Sequence, residues 1–368
     1  VSERPAKSEV VVIFGGRSSE YDVSAASAAS VVTHLNRARY EVTPLRITPE
    51  GEWAVGDRVP AGRYDAQELI RRTPASGDSV RRSVANALHA MASADLVLPV
   101  LHGPYGEDGL LQGFLETTDI PYVGSGVLAC STGMDKDVTK RLLAAAGLPV
   151  AASVVLTGSE TSVSPQDRER LGLPVFVKPA TAGSSMGVSR VESWDELPKA
   201  VAVARELDAK VLVEEAVIAR EIDVAVLEFP DGQIKAGPAL EISVGAGRDF
   251  FDHTAKYADR STRFDIPAKL EEDDAERLRA LALKVFTTLD CRGLLRVDFF
   301  LRESGELVVN EVNTFPGMTA ASQFPQVWQA AGIDYSALLD VLIGTALRGH
   351  PAEPGRPAEA KAPAVTAG

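Results

Sequence analysis

The stretch RVDFFLRESGELVVNEVN, Arg296 to Asn313, sets two acids, an amide and a guanidinium within runs of strand-forming residues. Ser304-Gly305 reads as a two-residue hairpin turn, and symmetric pairing about it places Asp298 opposite Glu311 and Arg296 opposite Asn313. Residues two apart share a face, so all four side chains converge while Val297, Phe299, Val309 and Val312 fill the other positions. Two carboxylates and an amide oxygen at cross-strand distance repel unless they are protonated, paired or bridged by a cation. Hard oxygen donors of this kind suit Mg²⁺, which keeps several waters and binds substrate phosphates. The plain alternative is an Arg296–Asp298 ion pair on a solvated face.

Three other stretches carry groups with chemical potential. In VFVKPATAGSSMGVSRV a strand ends at Lys178 and opens into a loop of small residues. Gly183, Ser184, Ser185 and Gly187 can bring N–H groups and hydroxyls close to phosphate oxygens, although the spacing is not the GxxxxGK[ST] of a P-loop. An ordinary hairpin loop has the same composition. FGGRSSEYDVS has a glycine pair but no GxGxxG, which disfavours a dinucleotide site. Glu20 reads as lying in the first turn of the helix that follows, where a carboxylate also interacts well with the helix dipole. His102, in LHGPYGEDG at a strand end, suits a structural role as well as a chemical one.

These groups need a frame. Val10 to Phe14, Tyr40 to Ile47 and Leu96 to Leu101 read as strands separated by helical stretches, with Pro121-Tyr122-Val123 as a last short strand. That pattern implies an open, mostly parallel α/β sheet with ligand-facing loops at the strand ends. A helix DVTKRLLAAAG, closed by Gly147, leads to short strands at Val150 to Leu156, Val175 to Lys178, Gly187 to Val191 and Val211 to Glu215. Helices near Pro165 to Leu171 and Ser193 to Leu207 complete a small α+β unit. Beyond Ile222 the alternation of DVAVLEF, an irregular Gly- and Asp-rich segment, a helix from Leu270 to Leu289 and the opening hairpin form a third unit. The irregular segment has the character of a binding loop or lid.

Composition narrows the function. Of 368 residues, 45% are apolar, and the net charge of -13 argues against a nucleic-acid surface, which needs clustered Lys and Arg. Cys130 and Cys291 stand far apart, so neither a disulfide framework nor a zinc site is expected, and a reducing cytoplasm is. No run approaches the roughly 20 apolar residues of a membrane helix, and VSERPAKSE lacks a signal peptide's apolar core. The Pro- and Ala-rich stretch from 351 to 368 is expected to be unfolded.

Together these features resemble the ATP-grasp superfamily. Within it HGPYGEDGLLQG, PYVGSGV, MDK, VKPATAGSSMGVS, AKY, RVDFF and NEVNTFPGMT, in this order, resemble the D-alanine-D-alanine ligases. The resemblance implies an α/β, three-domain ATP-grasp fold: an N-terminal open parallel α/β sheet over 1–135, a small central α+β domain over 136–221, and a C-terminal α+β domain with a mixed or antiparallel sheet over 222–350. A lid would occupy about 245–263. It also implies ligation of two D-alanines through a D-alanyl phosphate and a tetrahedral intermediate, for peptidoglycan precursors.

Residue roles carry over by matching position. Lys136, Lys178 and the lid's Lys256 match phosphate-binding lysines, with Ser184 and Ser185 in the phosphate loop. Glu214, Glu215 and Val217 match the strand at the adenine, and Glu221 the ribose carboxylate. Glu215 stands where some relatives have lysine. Asp298, Glu311 and Asn313 match the ligands of two Mg²⁺ (or Mn²⁺) ions, with a monovalent cation as a further candidate. Arg296 and the Gly317 N–H match the oxyanion holders, Glu20 the anchor of the first D-alanine's ammonium, and His102 a histidine near the reacting groups. Ser322 matches the group binding the second substrate's carboxylate. Tyr257 matches a lid tyrosine that bonds Ser184 and Glu20, and relatives making D-alanyl-D-lactate differ there, so Tyr257 favours D-alanine as acceptor. Asp252-His253-Thr254 departs from the common lid pattern. The resemblance further implies a homodimer. D-lactate or D-serine as acceptor is the alternative on the same fold, and a non-catalytic nucleotide-binding regulator the alternative of another class. The intact set Lys136, Lys178, Asp298, Glu311 and Asn313 stands against the latter.

Overall fold

The computed structural model describes residues 7–243 and 263–348. Lys256, Tyr257, nearly all of the expected lid and the stretch 351–368 lie outside the described residues.

The first sheet runs β3-β2-β1-β4, with β1 (Ser8–Gly15), β2 (Tyr40–Ile47) and β4 (Leu96–Leu101) parallel and the short β3 (Trp53–Val55) antiparallel at the edge. Strand β1 is apolar without alternation because both its faces are covered. Val10, Val12 and Phe14 pack with Ala25 and Ala28 of helix Tyr21–His34, whereas Val11 and Ile13 pack with Leu45, Met91 and Leu115. Gly15 closes the strand at φ +91°, and a Cβ there would come 2.3 Å from the Ile47 carbonyl, so only glycine fits the turn. The expected strand at Pro121–Val123 reduces to one parallel bridge between Tyr122 and Val97.

The second sheet is antiparallel in the order β5-β8-β6-β7: β5 (Ser153–Leu156), β6 (Val175–Pro179), β7 (Ser189–Val191) and β8 (Val211–Glu215). Val175, Val177, Val211 and Val213 pack on Leu171, Leu197 and Val201 of helices Pro165–Leu171 and Leu197–Arg205. The helix expected from Ser193 thus begins four residues later, at a Pro in its first turn. Val150 also leaves its expected strand and bridges Val309.

The third sheet is antiparallel throughout its described pairs, in the order β12-β11-β9-β13-β14 with β10 paired to β9. Its strands are β9 (Arg220–Glu228), β10 (Ile234–Ala236), β11 (Leu240–Ser243), β12 (Arg263–Asp265), β13 (Leu294–Leu301) and β14 (Leu307–Asn313). Val224 and Val226 join Val297, Phe299 and Val309 against Leu278, Val285 and Phe286 of helix Glu272–Thr288. Ala225 and Leu227 face helices Gln323–Ala330 and Tyr335–Leu347. Among the described residues no single helix is long and apolar enough to cross a membrane. The last two helices pass that composition test only as a pair bent by 103°, and Phe324, Val327, Trp328, Leu338 and Leu342 are buried in the core.

The hairpin pairs Asp298 with Glu311 and Arg296 with Asn313, but by another route than a two-residue turn. Arg302 N–H donates to Glu306 O and Gly305 N–H to Arg302 O, with Gly305 at φ +80°, so the loop holds three residues, Glu303 to Gly305. That shifts the register by one next to the turn, where Phe299 opposes Val309. A bulge at Asn310 restores it, because Asn310 has no partner on β13.

Candidate active site

Two adjoining clefts open over the free faces of the second and third sheets. The first, of about 430 Å³, is lined by Lys178, Ser185, Glu214, Glu215, Val217, Glu221, Asp223, Asp298 and Asn310, among others. The second, of about 630 Å³, is lined by Glu20, His102, Glu107, Asn313, Gly317 and Ser322 with their neighbours. Lys136, Ala182, Gly183, Ser184, Arg296 and Glu311 line both, and so mark the seam. The cleft linings thus bring together every described residue given a role by the resemblance, whereas Gly187 of the small-residue loop lines neither cleft and turns against Leu207 and Pro179.

The seam rests on β13 and β14. Arg296 forks onto Asp298, Nε to Oδ1 at 2.7 Å and Nη2 to Oδ2 at 2.8 Å, and Asp298 is 9% exposed. The ion pair posed as the alternative to a metal site therefore exists, but it is buried. A carboxylate holding an arginine fork still keeps lone pairs that a cation could use. Arg296 also reaches Asp223 Oδ2 at 3.4 Å and Gln323 Oε1 at 2.9 Å, and Gln323 Nε2 donates to Asp223 Oδ2 at 2.9 Å. Burial works against the guanidinium charge, but Asp298, Asp223 and Glu311 outweigh it and hold the Arg296 pKa above its ordinary value. Asn313 Oδ1 accepts the Phe315 N–H at 3.1 Å. Asp223 pairs with Asp298 across β9 and β13, which the sequence reading missed. Its only signal was an acid standing between Ile222 and the apolar run Val224 to Leu227.

Lys136 is the first residue of helix Lys136–Ala145, whose N-cap Asp135 accepts from Asp137 and Val138 N–H. The Lys136 ammonium donates to Ala182 O at 2.8 Å, drawing it toward the small-residue loop. In that loop Ser184 and Ser185 sit at φ +53° and +56°, which costs each about 1–3 kcal/mol of backbone energy. Ser184 Oγ donates to Glu20 Oε1 at 2.6 Å across 164 positions of sequence. Glu20 is the N-cap rather than a first-turn residue, and its side chain makes no capping bond. It crosses the cleft instead.

Lys178 Nζ lies 2.7 Å from Glu214 Oε1, and Lys140 Nζ lies 2.5 Å from Glu214 Oε2. Burial raises the Glu214 carboxyl, but the two ammoniums prevail and hold it below its ordinary value. Glu215 Oε1 accepts the Ala152 N–H at 3.0 Å and Arg302 Nη2 at 3.2 Å, so a charge expected at an adenine is already engaged.

In the second cleft His102 is 5% exposed, and burial holds its pKa below the usual histidine value against the pull of Glu20. A neutral ring fits its contacts: Nδ1 lies 3.2 Å from Phe315 O, which requires N–H there, leaving Nε2 to accept from Ser27 Oγ at 3.4 Å. Ser27 Oγ in turn accepts the Met318 N–H. Ser322 precedes helix Gln323–Ala330 without capping it, and instead accepts the Thr319 N–H at 3.1 Å. A Cβ on Gly317 would approach Ser322 Oγ to 3.0 Å, so a bare backbone there leaves room for the hydroxyl. Glu107, also missed from the sequence, accepts the Gly103 N–H at 2.5 Å. Burial and the Glu20 charge push its carboxyl up to about 8.

A family description of "D-ala D-ala ligase C-terminus" matches residues 142–344, and one of "D-ala D-ala ligase N-terminus" matches 9–125. The chain belongs to the D-alanine-D-alanine ligase family. It is 49% identical over 362 residues to the D-alanine-D-alanine ligase of Mycolicibacterium gilvum, covering 93% of this chain and 98% of that one. It is also 49% identical over 351 residues to that of Nocardia farcinica, covering 92% and 96%. Among solved structures it resembles the VanG D-Ala:D-Ser ligase of Enterococcus faecalis, with a TM-score of 0.77 and 33% identity over 93% of this chain and 100% of that one. The ATP complex of the Bacillus anthracis D-alanine-D-alanine ligase gives 0.73 and 30% over 93% and 98%. The fold is ATP-grasp, as these structural neighbours and the mixed α/β sheets agree. Structures named for different acceptors thus resemble this backbone about equally.

Proposed function

We propose that the chain joins two D-alanines into D-alanyl-D-alanine with ATP, forming ADP and phosphate. The observation that carries this reading is the seam: a cleft rich in fixed charge meets a second cleft, lined by Glu20, His102, Gly317 and Ser322, at Arg296 and Glu311. A phosphoryl group leaving the first cleft would meet a carboxylate held in the second without crossing solvent, which protects an acyl phosphate from water.

Each residue then has a task. Lys136 and Lys178 receive the phosphates, with the N–H groups and hydroxyls of Ser184 and Ser185 beside them, while Glu214, Glu215, Val217 and Glu221 bound the nucleoside. Glu20 holds the ammonium of the first D-alanine, steadied by Ser184. Arg296 and the Gly317 N–H hold the oxyanion as the second amine attacks, neutral His102 lies close by, and Ser322 holds the second carboxylate. Lys256 and Tyr257 take their lid roles by resemblance.

The donor set fits a divalent cation. Asp298 and Glu311 are cross-strand partners, Asn313 follows two positions on, and all offer oxygen. Among the described residues no three His, Cys, Asp or Glu side chains cluster for a metal. Bound there, Mg²⁺ would stabilise charge on the transferring phosphoryl group.

Incubation with ATP, Mg²⁺ and D-alanine should release ADP, phosphate and the dipeptide, and absence of phosphate release would end the ligase reading. Competition between D-alanine, D-serine and D-lactate should yield the dipeptide of D-alanine; predominant depsipeptide at neutral pH would overturn the role given to Tyr257. The same reading places the enzyme in the cytoplasm as a homodimer, checked by sedimentation.

A further inference from the structure

Beneath the first cleft lies a charged group that no family role claims. Lys140, on the helix that begins at Lys136, is 5% exposed and lines neither cleft. Its ammonium meets Glu214 Oε2 at 2.5 Å, and the Ala151 carbonyl at 3.4 Å is its other partner. Glu214, 3% exposed, spends its other oxygen on Lys178 at 2.7 Å. One carboxylate therefore serves two ammoniums, and the buried triad carries a net charge of one plus.

Charge counting shows what Lys140 adds. A buried Lys178–Glu214 pair alone would be neutral, and Lys178 would leave an oppositely charged partner behind whenever it turned to a phosphate, which is costly in a desolvated site. With Lys140 in place, Glu214 remains paired when Lys178 moves. We propose that Lys140 is a positioning residue: acting through Glu214, it frees Lys178 to bind the anionic part of the nucleotide.

The proposal rests on the reading of this cleft as the nucleotide site, and the two fail differently. If the unaltered enzyme does not bind MgADP, the cleft reading falls. If it binds, the test is Lys140→Met, measured by calorimetric titration with MgADP and with adenosine. Leaving Glu214 to Lys178 alone should weaken MgADP by about tenfold or more and leave adenosine nearly unchanged. Equal weakening of both would mean that Lys140 only supports packing, and unchanged MgADP affinity would also overturn the proposal. Lys140→Arg should recover most of the MgADP affinity.

Should Lys140→Met fail to fold, the comparison moves to a background without the acid. Glu214→Gln and Lys140→Met/Glu214→Gln leave no orphaned carboxylate. They should bind MgADP with similar affinity, because Lys140 then has no charge to offset. A further tenfold loss in the double variant would sink the idea.

Discussion

The two clefts share a wall but are furnished differently. In the first the strong charges stand on strands and answer one another: Lys178 to Glu214, and Arg296 to Asp298 and Asp223. In the second, groups on loops and at helix starts hold one another: His102, whose contacts fit a neutral ring, Ser322 on Thr319, and Ser184 on Glu20, with the amide of Gly317 nearby. On the proposed reading, a multiply charged ligand is met by charge on rigid elements, a small zwitterion by a few groups held in place by their neighbours. Glu311 and Arg296 belong to both schemes.

Disturbing the seam should therefore do the most damage. Glu311→Gln is expected to lower turnover by about 100- to 1,000-fold, followed by coupled ADP release, while the fold persists. Activity unchanged at saturating Mg²⁺ would refute its assignment as a metal ligand. Arg296→Lys retains the charge but not the fork onto Asp298, and should cost about 10- to 100-fold in kcat. If lysine serves equally well, the planar geometry has no role.

A change confined to the second cleft should separate the two. Glu20→Gln is expected to raise the KM for D-alanine by about tenfold or more while leaving that for ATP nearly fixed, since a hydrogen bond to a charged partner is lost. Parallel changes in both constants would show that the clefts do not act apart.

The smallest effect is expected at Glu107, where pH gives the readout. Burial and Glu20 raise its carboxyl to about 8 from an ordinary 4.5, so the folded protein favours the protonated acid. The stabilisation is complete below the unfolded pKa and is lost as pH rises through the folded one. Between pH 5 and 8 the wild-type melting temperature should fall by about 2–4 °C more than that of Glu107→Gln, whose amide is always neutral. Superimposable pH curves would disprove the assignment.

Much of the frame was legible because hydrophobic period follows directly from packing. The unbroken VVVIF of β1 announced a strand covered on both faces, and the Gly15-Gly16 turn announced its end. Other features follow from contacts across long sequence separations, which a linear reading does not contain. The partnership of Glu20 with Ser184 spans two sheets, and Asp223 becomes part of the site only through the register of β9 on β13. Lys140 looked like any polar residue of a short helix; only the second sheet packed beside it makes it a buried charge. Glu214 was assigned by matching position, whereas its two ammonium partners are visible only in three dimensions. The hairpin is the instructive case: its facing pairs were read correctly, yet the two-residue turn behind that reading is replaced by a longer turn and a bulge that offset each other.

That bulge gives the hairpin a tolerance to changes in length. Val308 shares the cleft face with Phe300, so strict alternation onward would turn Glu311 and Asn313 into the core; the additional residue Asn310 resets the phase. Deleting Asn310 would leave an unbulged strand in which the same acids still oppose each other, whereas deleting Val309 would remove a core side chain as well. Loss of a residue should therefore be accepted at that one position of β14 and rejected beside it, and a single-residue deletion scan read by thermal melting would show whether the strand has this one flexible joint.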